Sequence, residues 1–192
     1  MALTDALVAW EQAWRDSGAP VDELLAPGIT AEEVRALLDR DAHPDVITWF
    51  GWHNGGAEGG PWDAAPAGRW LCDLRYCVSE RDLLRATMEM WEQDGEDVHF
   101  RDSYLPLMTN DDFGVVFVDL DTGEVHRWDN IDWSDLYPQR SLKVADSLET
   151  IVRTWVEVLG GVRPTYVPGQ QVFALDSSTV PTDLIEKGIV TR

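Results

Sequence analysis

The segment LPLMTNDDFGVVFVDLDTGEVHRW, residues 105–128, carries the clearest local signal in the chain. An apolar run at 113–120 is followed by a turn at 121–123 and a second apolar run at 125–128. Two such runs separated by Asp-Thr-Gly predict a β-hairpin. Both faces of the first run are apolar, which is typical of a strand covered on both sides. We therefore expect this run to be a central strand.

Acidic side chains surround the predicted hairpin, against a single basic one, Arg127. They are Asp111, Asp112, Asp119, Asp121, Glu124, Asp129, Asp132 and Asp135. Over residues 89–135 there are fourteen acidic and two basic residues, a net charge of −12. If these residues lie on one side of the fold, they form an anionic surface suited to a cationic protein. If they spread over several loops, they serve solubility.

Composition and charge limit the classes of protein to which the chain can belong. With 192 residues, 44% of them hydrophobic, and ten tryptophans, the chain has enough apolar volume for one well-packed domain. Its net charge of −20 and pI near 4.3 argue against binding to nucleic acid or to an anionic membrane. A basic protein is the complementary partner, and the oligomeric state stays open.

The N-terminal residues do not resemble a signal peptide, because Asp5 and Glu11 interrupt the apolar run. We therefore expect a cytoplasmic protein without a membrane-spanning segment. The two cysteines, Cys72 and Cys77, fall in residues 69–78, which we interpret as a strand with the two thiols reduced and on opposite faces. The cysteines and the scattered histidines form no metal-binding pattern, and we expect no metal and no cofactor.

Apolar residues at helical spacing predict a first helix with Thr4 as its N-cap and Gly18 as its end. The residues on its apolar face are Leu3, Leu7, Trp10 and Trp14. Thr30 and Glu33 predict a capping box at the start of a second helix, and Pro44 is suited to begin a third.

Further helices are predicted at 79–95 and at 146–161. In the first of these, the residues expected to face the core are Leu83, Leu84, Thr87, Met88, Met90 and Trp91. Residues 130–144 are typical of an irregular loop, and 171–175 of a short strand. We expect the tail, residues 162–192, to dock as an extension on the main domain.

The signals for catalysis are weak. Carboxylates at Asp111, Asp112, Asp119 and Asp121 flank a hairpin, where Asp is common because it hydrogen bonds to turn backbone. The spacing around Asp119 does not match a calcium-binding loop. The sequence also lacks a nucleophile elbow and a phosphate-binding glycine loop. We therefore predict that the chain is not an enzyme; a hydrolase that uses Trp-flanked carboxylates is one alternative.

Several segments, taken in order, resemble the SUKH superfamily. Residues 26–56, APGITAEEVRALLDRDAHPDVITWFGWHNGG, resemble its opening, in which a capped helix is followed by a proline, a short helix with an aromatic end and an Asn-Gly stop. Residues 105–107 and GVVFVDLDTGEVHRW (114–128) resemble its central hairpin. SLETIVRTWVEVLGG (147–161) resembles its last helix, so that the resemblance runs over residues 5–161.

The SUKH superfamily includes fungal regulators of cell-wall assembly and bacterial immunity proteins that neutralise toxins, often nucleases. The resemblance implies a single α+β domain at 1–161, with N-terminal helices and a C-terminal helix packed on a mostly antiparallel sheet, and no catalytic residues. The sequence departs from the family pattern around Trp62, at 110–114 and after Gly161. These departures affect the binding surface rather than the fold.

We therefore expect a cytoplasmic, non-enzymatic protein-binding module, an immunity protein that occludes the active site of a basic toxin such as a nuclease. Acidic residues would steer the encounter, and tryptophans would slow dissociation. The residues expected to contact the partner are Trp62, Asp111, Asp112, Asp121, Trp128, Asp129 and Trp133. Trp62 has a second interpretation, as a lid over the core. A housekeeping regulatory scaffold that contacts several cellular proteins is the other alternative.

Overall fold

The computed structural model describes residues 2–57, 64, 66–93, 100–109, 114–128, 141–162, 164–168, 172–174 and 180–186. Helices and antiparallel strands form an α+β fold, as predicted. The described helices are α1 (Leu3–Asp16), α2 (Val21–Leu24), α3 (Ala31–Leu38), α4 (Pro44–Trp52), α5 (Leu74–Gln93), α6 (Leu148–Gly161) and α7 (Thr182–Glu186). The described strands are β1 (Leu25–Pro27), β2 (His53–Gly56), β3 (Trp70–Leu71), β4 (Tyr104–Thr109), β5 (Val115–Asp119), β6 (Val125–Trp128), β7 (Leu142–Ala145), β8 (Thr165–Val167) and β9 (Val172–Ala174).

The main sheet has five strands in the order β3-β4-β5-β6-β7, and every neighbouring pair is antiparallel. β5 lies at the centre, and all its residues are buried. β5 and β6 form the predicted hairpin, in which Val115 faces Trp128 and Val118 faces Val125. The prediction of a central strand that is covered on both faces is therefore confirmed. Two smaller antiparallel pairs are β1-β2 and β8-β9.

A cluster of tryptophan rings joins the N-terminal helices to α6. Trp10 of α1 has its ring centroid 4.5 Å from that of Trp14, 4.8 Å from Trp155 and 5.7 Å from Trp52. Trp10 and Trp155 are almost completely buried, so their large apolar surfaces contribute strongly to stability. The predicted apolar face of the first helix is confirmed, because all four of its residues are buried.

Two of the predicted helix starts are confirmed. Thr30 Oγ1 accepts a hydrogen bond from the Glu33 N–H (3.2 Å), and Glu33 Oε2 accepts one from the Thr30 N–H (2.8 Å), which forms the capping box of α3. Pro44 is the first residue of α4. The predicted cap Thr4 is wrong, because the N-cap of α1 is Ala2, two residues earlier.

The region at 69–78 differs from its prediction. Only Trp70–Leu71 is strand, and α5 begins at Leu74, five residues before the predicted start. The earlier start has two causes: Asp73 Oδ1 accepts a hydrogen bond from the Tyr76 N–H (2.9 Å), and Asn54 Oδ1 accepts one from the Leu74 N–H (2.9 Å).

The two cysteines therefore do not alternate along a strand. Cys77 lies in the first turns of α5, and its Sγ is 3.7 Å from the Cys72 carbonyl oxygen. Both side chains are buried free thiols. Burial, together with the neighbouring Cys72, raises the pKa of the Cys77 thiol. The prediction that they occupy opposite faces is wrong.

Two further predictions fail around α5 and β7. Leu83 and Met90 are 61% and 59% exposed, although they were expected in the core. The core side of α5 is formed by Leu84 and Met88, which are buried. Residues 142–144, which the sequence predicts as part of a loop, belong to the edge strand β7.

The described parts of the tail contact the main domain. Phe173 of β9 has its ring 5.6 Å from that of Trp14, and Val180 packs with Val158 and Val162. β9 lies within the stretch predicted as a strand and pairs with β8.

Candidate protein-binding surface

One end of the main sheet gathers residues from distant parts of the chain. Trp70 of β3 pairs with Thr109 of β4. Val115 of β5 pairs with both Thr109 and Trp128 of β6. Because paired residues lie side by side across neighbouring strands, these four residues form one row across four strands. We call this row the loop end of the sheet.

Three acidic or Trp-bearing segments connect to the loop end. Residues 110–113 join β4 to β5, residues 129–140 follow β6 directly, and residues 58–63 lie shortly before β3. Five of the predicted contact residues belong to these segments and lie outside the described residues: Trp62, Asp111, Asp112, Asp129 and Trp133. The topology thus attaches their segments to one end of the sheet.

Two arginines stand beside this row. Arg69 is 2% exposed and donates a hydrogen bond from Nη1 to the Ala67 carbonyl oxygen (3.2 Å). Arg127 is half-buried and precedes Trp128. Burial lowers the pKa of each guanidinium group to about 10, and the charge of Arg69 adds to the effect at Arg127. Positive charge is therefore concentrated at the place where the acidic segments leave the sheet.

Trp128 is a partly buried residue that packs on a second apolar cluster, separate from the main core. The buried members of this cluster are Tyr104, Val115 and Phe117, and Phe100 packs on it as well. Trp128 Nε1 is buried without a hydrogen-bond partner among the described residues. Part of the ring is committed to packing, and only the remaining surface can reach a partner.

His126 lies on the same cluster and escaped the sequence analysis. Its ring stacks on Phe117, with centroids 5.8 Å apart and planes 2° from parallel, and its centroid is 5.1 Å from that of Tyr104. His126 Nε2 is 3.6 Å from Glu124 Oε2. Burial lowers the pKa of His126, and the Glu124 carboxylate opposes this effect only in part. The sequence signal that could have identified His126 is the alternation of side chains along β6, in which every second residue lies on the same face.

Asp121 lies at the other end of the sheet, in the turn between β5 and β6. Its carboxylate forms an ion pair with Arg40, and its N–H donates to Asp119 Oδ1 (2.9 Å). β6 separates this turn from Trp128 by about 10 Å, at roughly 3.4 Å per residue. Of these two predicted contact residues, Asp121 therefore lies beyond the start of β6 and Trp128 lies at its end. The role of Asp121 in this structure is to hold the turn.

Other acidic residues near this turn also have basic partners. Asp102 Oδ1 is 3.0 Å from Arg85 Nε. Glu124 pairs with Lys143, whose ammonium group lowers the pKa of that carboxyl. Much of the acidic charge around the β5–β6 turn, which we call the turn end of the sheet, is thus compensated within the chain.

A polar network on α1 also escaped the sequence analysis. Glu11 Oε2 accepts a hydrogen bond from Trp52 Nε1 (2.9 Å) and lies 3.3 Å from His53 Nε2. Arg15 Nη2 is 2.6 Å from Glu11 Oε1 and 2.6 Å from Asp22 Oδ1. Burial alone would raise the pKa of Glu11, but its hydrogen bonds outweigh burial and lower it. The network ties α1 to α2, α4 and β2, a structural task.

A cleft of about 170 Å³ opens between β2, β3 and α5. Its lining residues are Gly56, Trp70, Leu71, Cys72, Asp73 and Tyr76. Among the described residues, no group of three or more His, Cys, Asp or Glu side chains is arranged to hold a metal ion. In the same part of the chain, each helix is too short or too polar to cross a membrane.

In comparisons over the whole chain, no protein-family profile and no curated protein matches it significantly. The SUKH resemblance therefore stands as an inference from the sequence pattern.

Proposed function

We propose that this chain is a non-enzymatic protein-binding module of the SUKH type that acts as an immunity protein and neutralises a basic toxin. The observation that carries the proposal is the loop end of the sheet. The pairing of Trp70, Thr109, Val115 and Trp128 attaches three segments with acidic or tryptophan residues to one row. A partner that binds there would meet all three segments at once.

Charge supports a basic partner. The chain has a net charge of −20 in total and of −12 within residues 89–135. Acidic residues at the turn end are compensated by Arg40, Arg85 and Lys143. The net negative charge of residues 89–135 would raise the association rate of a cationic protein that binds at the loop end, where Arg69 and Arg127 also lie. Tryptophans in the same segments would supply the desolvated contacts that slow dissociation.

The test begins with the protein as bait for lysate of its source cells, washed at ionic strengths on the order of 0.05 M and then 0.5 M. We expect one basic protein that is released by salt. The purified pair is then titrated with a variant that carries Asp111→Lys, Asp112→Lys and Asp129→Lys. We expect affinity to fall about tenfold or more, with a weaker salt dependence.

A matched variant carries Glu32→Lys, Asp41→Lys and Glu157→Lys, three exposed acids elsewhere. It makes the same change in net charge, so it separates local contacts from overall attraction. We expect it to retain affinity to within about threefold. Equal losses in both variants would reject the loop end as the binding surface. Capture of several unrelated housekeeping proteins would instead favour a scaffold.

A further inference from the structure

The side of α5 that faces away from the core carries an apolar stripe. Its core side is formed by Leu74, Cys77, Leu84 and Met88, which are buried. On the opposite side, large residues recur every seven positions: Tyr76, Leu83 and Met90 are 43%, 61% and 59% exposed. Charged residues are the usual occupants of such a face. We call these residues, with the exposed small residues Ser79 and Ala86 between them, the α5 stripe.

The stripe has the spacing of a helix-pairing seam. Large residues stand at positions 76, 83 and 90, and small or polar ones at 79, 86 and 93, which reproduces the a and d positions of a heptad. At about 1.5 Å per residue, the part of the helix from Tyr76 to Met90 offers a seam about 21 Å long.

We propose that the α5 stripe is a homodimer interface, in which α5 of a second copy lies antiparallel across it. Positions 76 and 86 lie symmetrically about residue 81, as do 79 and 83. A twofold axis near this residue therefore sets Tyr76 against Ala86 of the second copy and Leu83 against Ser79. Each large side chain meets a small one, which allows the helices to approach closely.

The cleft beside α5 extends this complementarity. In the same arrangement, Met90 lies just beyond the N-terminal end of α5 of the second copy, which begins at Leu74. Cys72, Trp70 and Tyr76 line the cleft of about 170 Å³ there. A flexible, unbranched Met side chain is suited to fill such an irregular space. The end of the stripe thus has a matching recess in the second copy.

Charges on the flank also match. Arg75 and Glu89 are exposed and lie symmetrically about residue 82, one residue from the axis, so Arg75 of each copy lies near Glu89 of the other, with an offset of about 3 Å along the helices. Asp82, which lies beside the axis, has its charge compensated by Arg81, with 3.0 Å between Arg81 Nη2 and Asp82 Oδ1. On the other flank, Glu80 accepts a hydrogen bond from Tyr76 within its own chain.

The test is sedimentation of the full chain over a range of concentrations at physiological salt. Because one helix pair is a small interface, we expect a weak dimer with a Kd on the order of 10 µM. Leu83→Lys should raise that Kd at least about tenfold. Val8→Lys is the matched control, since Val8 is 57% exposed on α1, and it should leave the Kd unchanged.

A charge swap tests the antiparallel arrangement. Arg75→Glu or Glu89→Arg alone sets like charges against each other twice per dimer and should weaken it about fivefold. The double variant restores both pairs and should return the Kd to within about twofold of the wild type. Circular dichroism confirms that each variant folds.

Three outcomes would overturn the proposal. A wild-type monomer at every concentration means that the stripe does not serve a second copy. A dimer that survives Leu83→Lys lies on another surface. A double charge variant that stays as weak as the single ones excludes this antiparallel packing.

Discussion

Arg40, in the connection between α3 and α4, forms an ion pair with Asp121, which lies 81 residues later in the β5–β6 turn. Arg40 Nη1 also donates a hydrogen bond to the Asp102 carbonyl oxygen (3.3 Å). One guanidinium group thus ties the helical layer to the hairpin turn and to the entry of β4. Contacts between residues of this chain therefore hold the turn end of the sheet in place.

Asp121→Asn should have a small structural effect and no effect on partner binding. The ion pair with Arg40 is largely exposed, so its loss should lower the free energy of unfolding by less than about 1 kcal/mol in urea titrations. Affinity for the captured partner should stay unchanged. An affinity loss as large as that of the loop-end variant would place Asp121 in the interface after all.

Gly123→Ala should destabilise the protein more than Gly18→Ala. Both glycines have positive φ values, 78° and 88°, which cost an alanine on the order of 1 kcal/mol. A Cβ on Gly123 would also lie 2.7 Å from the His43 ring, whereas one on Gly18 would meet nothing within 4 Å. We expect an additional loss of about 1–2 kcal/mol for Gly123→Ala in thermal or urea unfolding. Equal losses would show that the His43 ring moves aside freely.

Glu11→Gln should lower the free energy of unfolding at neutral pH and have little effect on it in acid. Hydrogen bonds from Arg15, Trp52 and His53 lower the pKa of Glu11 below its ordinary 4.5, against the effect of burial. The stabilising contribution is therefore present above pH 4.5 and is lost as pH falls through the lowered folded-state pKa. We expect a difference of about 1–2 kcal/mol from the wild type near pH 7 that shrinks below about pH 4. A difference that does not depend on pH would assign the effect to packing.

His126 should make the folded state sensitive to mild acid. Burial lowers its pKa below 6.5 despite the nearby Glu124, so the neutral ring is favoured on folding. Its contribution is present above pH 6.5 and is lost as pH falls through the folded-state pKa. Between about pH 7.5 and pH 5.5, the free energy of unfolding of the wild type should fall more than that of His126→Phe. Parallel curves would contradict this role.

Local patterns predicted the elements whose stabilising contacts are near in sequence. The hairpin at 105–128, the capping box of Thr30 and Glu33, and the start of α4 at Pro44 follow from interactions over a few residues. The apolar face of α1 follows from helical spacing, since all its members are buried. The α+β class was predicted from the resemblance to the SUKH superfamily, and the helices and antiparallel sheets agree with it.

Predictions failed where the partner is distant. Asn54 Oδ1 accepts a hydrogen bond from the N–H of Leu74, which lies 20 residues later in the sequence. This bond contributes to the earlier start of α5. The ion pair between Asp121 and Arg40, 81 residues apart, was likewise not predicted. Leu83 was predicted in the core but is exposed, because two adjacent apolar residues on a helix, Leu83 and Leu84, do not reveal which of them faces inward.

The sequence alone determined the hairpin, the apolar face of α1 and the surplus of negative charge, because each depends on composition or on residues a few positions apart. Only the tertiary structure decided which acidic residues find basic partners, which end of the sheet receives the acidic segments, and that α5 exposes an apolar stripe. These properties depend on strand order and on contacts between residues tens of positions apart, and no local periodicity encodes such contacts.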